Sequence, residues 1–179
     1  MKESKTSLFQ TLGTGLALLI SVMALIVSLY EANILKDQQR ALVWPYFGVG
    51  SNFSGKGFSF VASNNGTGPA LIKSMEVIYE DSVYPSFEDI LDKIKPDRVI
   101  GYDRLRFSNL NNTVVKPGEE RAIFNMPWDD ETREMASFLM NTRIKVQYCS
   151  VLGDCWVYDS ADDSHTEGTF KSRAEFQRN

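Results

Sequence analysis

From Thr6 to Tyr30 the chain carries no charged residue, and Leu12–Tyr30 is overwhelmingly apolar. A bilayer core about 30 Å thick is crossed by roughly 20 apolar residues in helical form, so Thr11–Tyr30 is long enough to span it. A cleavable signal peptide has a shorter apolar region, about 7–15 residues, ahead of a small-x-small site. Here the run is longer and leads into Glu31-Ala32-Asn33-Ile34-Leu35-Lys36, without such a site. The pattern predicts a retained transmembrane helix at 11–30, after a short cytoplasmic tail at 1–10. A juxtamembrane helix or linker at 31–42 follows, stopped by Pro45.

Beyond the anchor the periodicity changes to that of strands. Val43–Val49 starts an extended region, and Gly57–Ser63 alternates with Phe58, Phe60 and Ala62 on one side. Asn64-Asn65-Gly66-Thr67-Gly68-Pro69 is dense in turn residues, and Ala70–Tyr79 reads as a longer strand. Tyr102–Leu110, Val114–Lys116, Arg121–Met126, Arg143–Ser150 and Cys155–Asp159 complete the strands. Two short helices are inserted. Ser86 caps the first, with Phe87, Ile90, Leu91 and Ile94 at helical spacing, and Asp129 or Asp130 caps the second, with Met135, Phe138 and Leu139 inward. The expected fold is mainly β: an Ig-like antiparallel β-sandwich over 43–159, with an open α+β sheet as the alternative. The polar, aperiodic stretch 160–179 is expected to be a flexible tail.

The segment Arg143–Tyr158 folds about a three-residue loop, Val151-Leu152-Gly153, with glycine at the left-handed closing position. That register sets Cys149 opposite Cys155, Tyr148 opposite Trp156 and Val146 opposite Tyr158. Ile144, Val146, Tyr148, Trp156 and Tyr158 form a core face, whereas Lys145, Gln147, Cys149, Cys155 and Asp159 are expected to face solvent. Opposed strand positions lie within disulfide reach, so Cys149 and Cys155 are expected to be bonded, which implies an oxidising compartment. Reduced structural thiols, or a metal or redox role, are the alternatives.

Composition sharpens this picture only once the chain is divided. The 179 residues carry a net charge of −4. From Glu31 onward there are 17 basic and 22 acidic residues, which argues against a nucleic-acid partner held through a basic surface. On the anchor, Gly13, Ala17, Ser21, Ala24 and Ser28 fall on one side with Gln10, a spacing that permits close helix–helix association. Flanking basic residues are nearly balanced between Lys2 and Lys5 on one side and Lys36 and Arg40 on the other. The short N-terminal tail and the cysteine pair favour an extracytoplasmic domain, with a cytoplasmic one as the alternative.

Catalytic chemistry is not visible. The single histidine, His165, lies among Asp162, Asp163 and Glu167 in the expected tail, where nothing fixes its position or tautomer. No nucleophile elbow, phosphate loop or His-Glu-x-x-His pattern occurs, and the Gly66/Gly68 pair precedes a strand, not a helix. Trp128-Asp129-Asp130-Glu131 reads as a helix start rather than an acid–base site. Asn52, Asn65 and Asn111 stand in Asn-x-Ser/Thr sequences, which matter only in a glycosylating cell. No metal or other cofactor is expected.

Trp44-Pro45-Tyr46, the stretch Asn64-Asn65-Gly66-Thr67-Gly68-Pro69-Ala70-Leu71-Ile72-Lys73-Ser74, and Cys149-Ser150-Val151-Leu152-Gly153-Asp154-Cys155-Trp156 together resemble uncharacterised bacterial single-pass membrane proteins with a small β-rich domain. The resemblance covers the anchor, about 44–79 and about 144–158, and implies only that architecture and a bacterial envelope. The expected function is a membrane-tethered, non-catalytic interaction or structural module. Its partners are the lipid bilayer through 11–30 and a protein or a second copy. The alternatives are an accessory or sensor subunit using its transmembrane helix, and an envelope enzyme.

Overall fold

The computed structural model describes residues 3–101 and 104–172, with the side chains of 3–8 and 10 excepted. The chain divides into two units, 1–41 and 42–179. The first is the helix α1, Glu3–Leu42. Its stretch Thr11–Leu42 is long and apolar enough to cross a membrane, a property shared with signal sequences. Gly13, Ala17, Ser21, Ala24 and Ser28 are all exposed along it. The Ser21 hydroxyl donates to the Ala17 carbonyl at 2.8 Å, so its single proton is already used within the helix. Gln10's side chain lies outside the described residues.

The second unit consists of antiparallel sheets with two further helices. One sheet has the order β1-β2-β7-β5, from Phe47–Ser54, Gly57–Asn64, Glu120–Pro127 and Arg106–Phe107. The other has the order β10-β9-β8-β3-β4, from Ser164–Glu167, Cys155–Asp159, Arg143–Cys149, Ala70–Tyr79 and Ser82–Tyr84. β6, Val114–Val115, pairs with the start of β3. α2 (Phe87–Ile94) and α3 (Asp130–Leu139) follow β4 and β7 in the chain.

One core draws on both sheets and both short helices. Phe47, Phe58, Phe60 and Phe124 from the first sheet share it with Ile72, Val77, Val146 and Tyr148 from the second. α2 forms because Ser86 accepts from the Asp89 backbone N–H and its buried side chains, Phe87, Ile90 and Leu91, lie on one face. Complete burial of each contributes about 1.5–3 kcal/mol. At α3, Asp129 and Thr132 cap each other reciprocally. Glu131 accepts from the Val99 and Ile100 N–H groups at 2.9 and 3.0 Å, and Arg104 pairs with Asp129 at 2.8 Å. These acids at the start of α3 are therefore occupied with capping and with holding the preceding loop.

Several expectations need correction. Among the described residues of the stretch expected as a strand, Tyr102–Leu110, only Arg106–Phe107 is strand; just before it, Val99 and Ile100 are held by Glu131 and Arg104 by Asp129 rather than by a ladder. Tyr102 and Asp103 lie outside the described residues. Phe138 is 42% exposed, whereas Met135 and Leu139 point inward. Residues 160–172 are not a loose tail: β10 pairs with β9 through Ser164↔Asp159, His165↔Tyr158, Thr166↔Val157 and Glu167↔Trp156. Residues 173–179 of that expected tail lie outside the described residues. β4, Ser82–Tyr84, is not among the strands that the sequence pattern predicts. It closes on β3 through Glu80 and Asp81, both at positive φ (47° and 59°), the conformation that a two-residue hairpin requires.

Candidate functional site

The hairpin β8–β9 has the expected register, Cys149↔Cys155, Tyr148↔Trp156 and Val146↔Tyr158. Gly153 closes its loop at φ 88°, and the Ser150 N–H donates to the Asp154 carbonyl at 2.8 Å. The two sulfurs lie 2.05 Å apart, at disulfide distance, with Cα atoms 4.0 Å apart. The face carrying them is less open than expected, since Cys149 is only 3% exposed and Asp159 is buried as well. The chain after β10 covers part of it: the Gly168 N–H donates to the Cys155 carbonyl and the Phe170 N–H to the Gln147 side chain. Asp159 is held between Arg143 and Lys145. Burial alone would raise its pKa, but the Arg143 bond, the Ala161 N–H and Lys145 outweigh that and hold it at about 2.

The most elaborate site is built around Asn64, the last residue of β2. Its side chain is completely buried and uses both ends. The amide oxygen accepts from the Tyr46 and Gly66 N–H groups at 3.1 and 3.0 Å. The amide nitrogen donates to the Gly68 and Val115 carbonyls at 2.8 and 3.0 Å. The loop that follows closes over Trp44-Pro45-Tyr46. Thr67 and Gly68 donate their N–H groups to the Trp44 carbonyl, and the Asn65 N–H donates to the Tyr46 carbonyl at 2.8 Å. The turn sequence is thus a strap over the segment next after α1 in the chain. Glycine is needed at 68 for close approach, because a Cβ there would lie 2.0 Å from the Val43 carbonyl oxygen.

Beside the strap, an aromatic cluster surrounds His165. Its ring lies 4.4 Å from Tyr46 and 5.3 Å from Tyr158, centroid to centroid, and Nδ1 is 2.9 Å from the Tyr148 hydroxyl. The Tyr158 hydroxyl donates to the Val49 carbonyl at 3.0 Å. Burial pushes both Tyr148 and Tyr158 up to about 12, so neither ionises near neutral pH. The expectation of an unfixed histidine fails for a non-local reason: β10 is placed by its pairing with Tyr158 and Trp156 and by the tyrosines around the ring. Trp44 and Tyr46 remain exposed at this end.

His165 gives a pH dependence of defined sign. Burial lowers its pKa, against the opposing pull of Asp163. Between that folded value and about 6.5 the unfolded chain therefore binds more protons. The contribution is complete above about pH 6.5 and is lost as pH falls toward the folded pKa. Moving from pH 7 to pH 5 should lower the Tm of the wild-type chain more than that of His165→Asn, in which no imidazole titrates. Equal falls in the two thermal melts would disprove it.

A groove of about 520 Å³ is lined by Tyr79, Glu80, Asp81, Phe138, Asn141 and Arg143. Its one cation, Arg143, is committed to Asp159. Among the described residues no cluster of three or more metal-ligating side chains occurs. The strap and its aromatic neighbours are thus the site in which the sequence motifs converge. Comparison of the chain with protein-family models, with curated proteins and with solved structures gives no match.

Proposed function

We propose that the protein is a membrane-tethered, non-catalytic interaction or structural module. In this reading α1 is a retained single-pass anchor, and the two sheets form an Ig-like sandwich presented on the extracytoplasmic side of a bacterial envelope. The observation that carries the reading is the strap. It uses a buried Asn64, two close-packed glycines and a dense set of hydrogen bonds to fix Val43–Tyr46, the segment directly following α1 in the chain. Terminal segments are poorly ordered unless tied down, and in a tethered module this tie is what connects the anchor to the folded domain. The cysteine pair at disulfide distance supports an oxidising compartment. The small-residue side of α1 supports a role for the anchor in association, with a second copy or as a subunit of a larger complex.

Labelling of intact cells with a membrane-impermeant maleimide tests this. Labelling of Cys149 and Cys155 only after impermeant reduction, with the chain in the membrane fraction, is the expected result. Thiols that react only after lysis, or a chain cut after its apolar segment, would refute the placement.

A further inference from the structure

The outer edge of β1 is closed along one half and open along the other. Asn65 N–H bonds to Tyr46, and the Tyr158 hydroxyl reaches the Val49 carbonyl from the opposite side. In an antiparallel ladder the direction of the backbone groups alternates, so Phe47, Val49, Ser51 and Phe53 turn theirs away from β2. Tyr158 satisfies the Val49 carbonyl, while Ser51 and Phe53 are exposed and no described hydrogen bond reaches their outward N–H and C=O groups. Edge strands are ordinarily blunted by charge, proline or a bulge. Residues 47–54 contain no charge and no proline, and they pair with β2 without a shift in register.

We infer that this open half-edge is a self-association surface, pairing β1 of one copy antiparallel with β1 of a second about a two-fold axis at Asn52. In that register Ser51 of each copy meets Phe53 of the other, forming about four hydrogen bonds from the N–H and C=O groups of these two residues while leaving the Val49 carbonyl with Tyr158. The side chains match as well. Asn52 meets Asn52, whose carboxamides are mutually complementary donors and acceptors, and no charge in β1 repels an identical strand. Phe53, 51% exposed beside Trp128, is covered by the pairing. The occupant is a second copy because the pattern of open groups is its own complement, and an isologous two-fold contact demands that. The inference rests in part on the tethered reading, which holds all copies in one orientation and at high local concentration.

The test uses the full chain in native membranes. Cys149 and Cys155 are the only cysteines, so Asn52→Cys introduces the one free thiol. Directly opposed, non-hydrogen-bonded positions have Cα atoms about 4.5 Å apart, within disulfide range. Mild oxidation should join Asn52→Cys copies about tenfold more than Lys56→Cys copies, whose positions in the hairpin turn beyond Ser54 lie roughly 20 Å or more apart in this register, outside disulfide reach. Ser51→Lys in the Asn52→Cys chain places like charges at the pairing edge and should reduce cross-linking about tenfold, with an unchanged melting temperature. Equal cross-linking at 52 and 56, or cross-linking undiminished by Ser51→Lys, overturns the inference. Cross-linking at 52 in a chain found in the soluble fraction would refute the tether and leave the edge pairing standing. A membrane-bound chain that does not cross-link at 52 would refute the pairing alone.

Discussion

Replacing Asn64 with Leu should lower the stability of the full chain in detergent by about 4 kcal/mol, equivalent to a Tm decrease of about 12 °C. The side chain has no exposure and makes four hydrogen bonds. Leucine fills a similar volume but strands the Tyr46 and Gly66 N–H groups and the Gly68 and Val115 carbonyls. A buried polar group left without a partner costs about 1–3 kcal/mol, and the four are not independent, so the sum is discounted. Asn65→Ala is the matched control: that side chain is exposed, its backbone bond to Tyr46 persists, and its effect should stay within about 0.5 kcal/mol. A loss below about 1 kcal/mol for Asn64→Leu would show that the strap is not held together as described.

The second large effect is expected for Gly68→Ala. The added Cβ would lie 2.0 Å from the Val43 carbonyl oxygen and 2.2 Å from its carbon. Both are backbone atoms, so neither can retreat as a flexible side chain would. The segment Val43–Tyr46 must move and give up the bonds from Thr67 and Gly68 to the Trp44 carbonyl. A loss of about 3 kcal/mol is expected, together with faster chymotryptic cleavage after Tyr46. At Gly48 a Cβ meets nothing within 4 Å, so Gly48→Ala should leave both the melt and the cleavage rate near wild type. Wild-type proteolysis of Gly68→Ala would separate the strap from the fixing of this segment.

The two variants probe different physical terms. Asn64→Leu removes polar satisfaction while keeping volume, and Gly68→Ala adds volume while keeping the hydrogen-bonding groups. Both act on the same short stretch of backbone. If that stretch is as firmly fixed as the geometry requires, the double variant should be less than additive, because the second change meets a strap that is already open.

The stretches legible in the sequence are those whose structure is decided locally. The uncharged run predicts α1 because helix length and lack of charge are properties of one segment. The β8–β9 hairpin is legible because a three-residue loop with Gly153 sets the register of every following pair, Cys149↔Cys155 included. α2 and α3 announce themselves through Ser86 and Asp129, whose caps bond within three residues. Even the composition of the strap loop was evident, but only as a turn.

What that turn does was decided by the tertiary structure. Asn64 reaches Val115, 51 residues away, and Gly68 is required by Val43, so neither role leaves a mark in a local window. β10 is too short and too polar to read as a strand, yet it forms because Tyr158 and Trp156 stand opposite and tyrosine rings enclose His165. The free half of β1 depends on where Tyr158 ends, since its hydroxyl engages the Val49 carbonyl and leaves Ser51 and Phe53 open. Short-range spacing and capping suffice for the helices and the hairpin, so these can be read from the residues alone. The strap, the seat of His165 and the open edge each depend on partners distant in the chain and exist only once the fold brings those partners together.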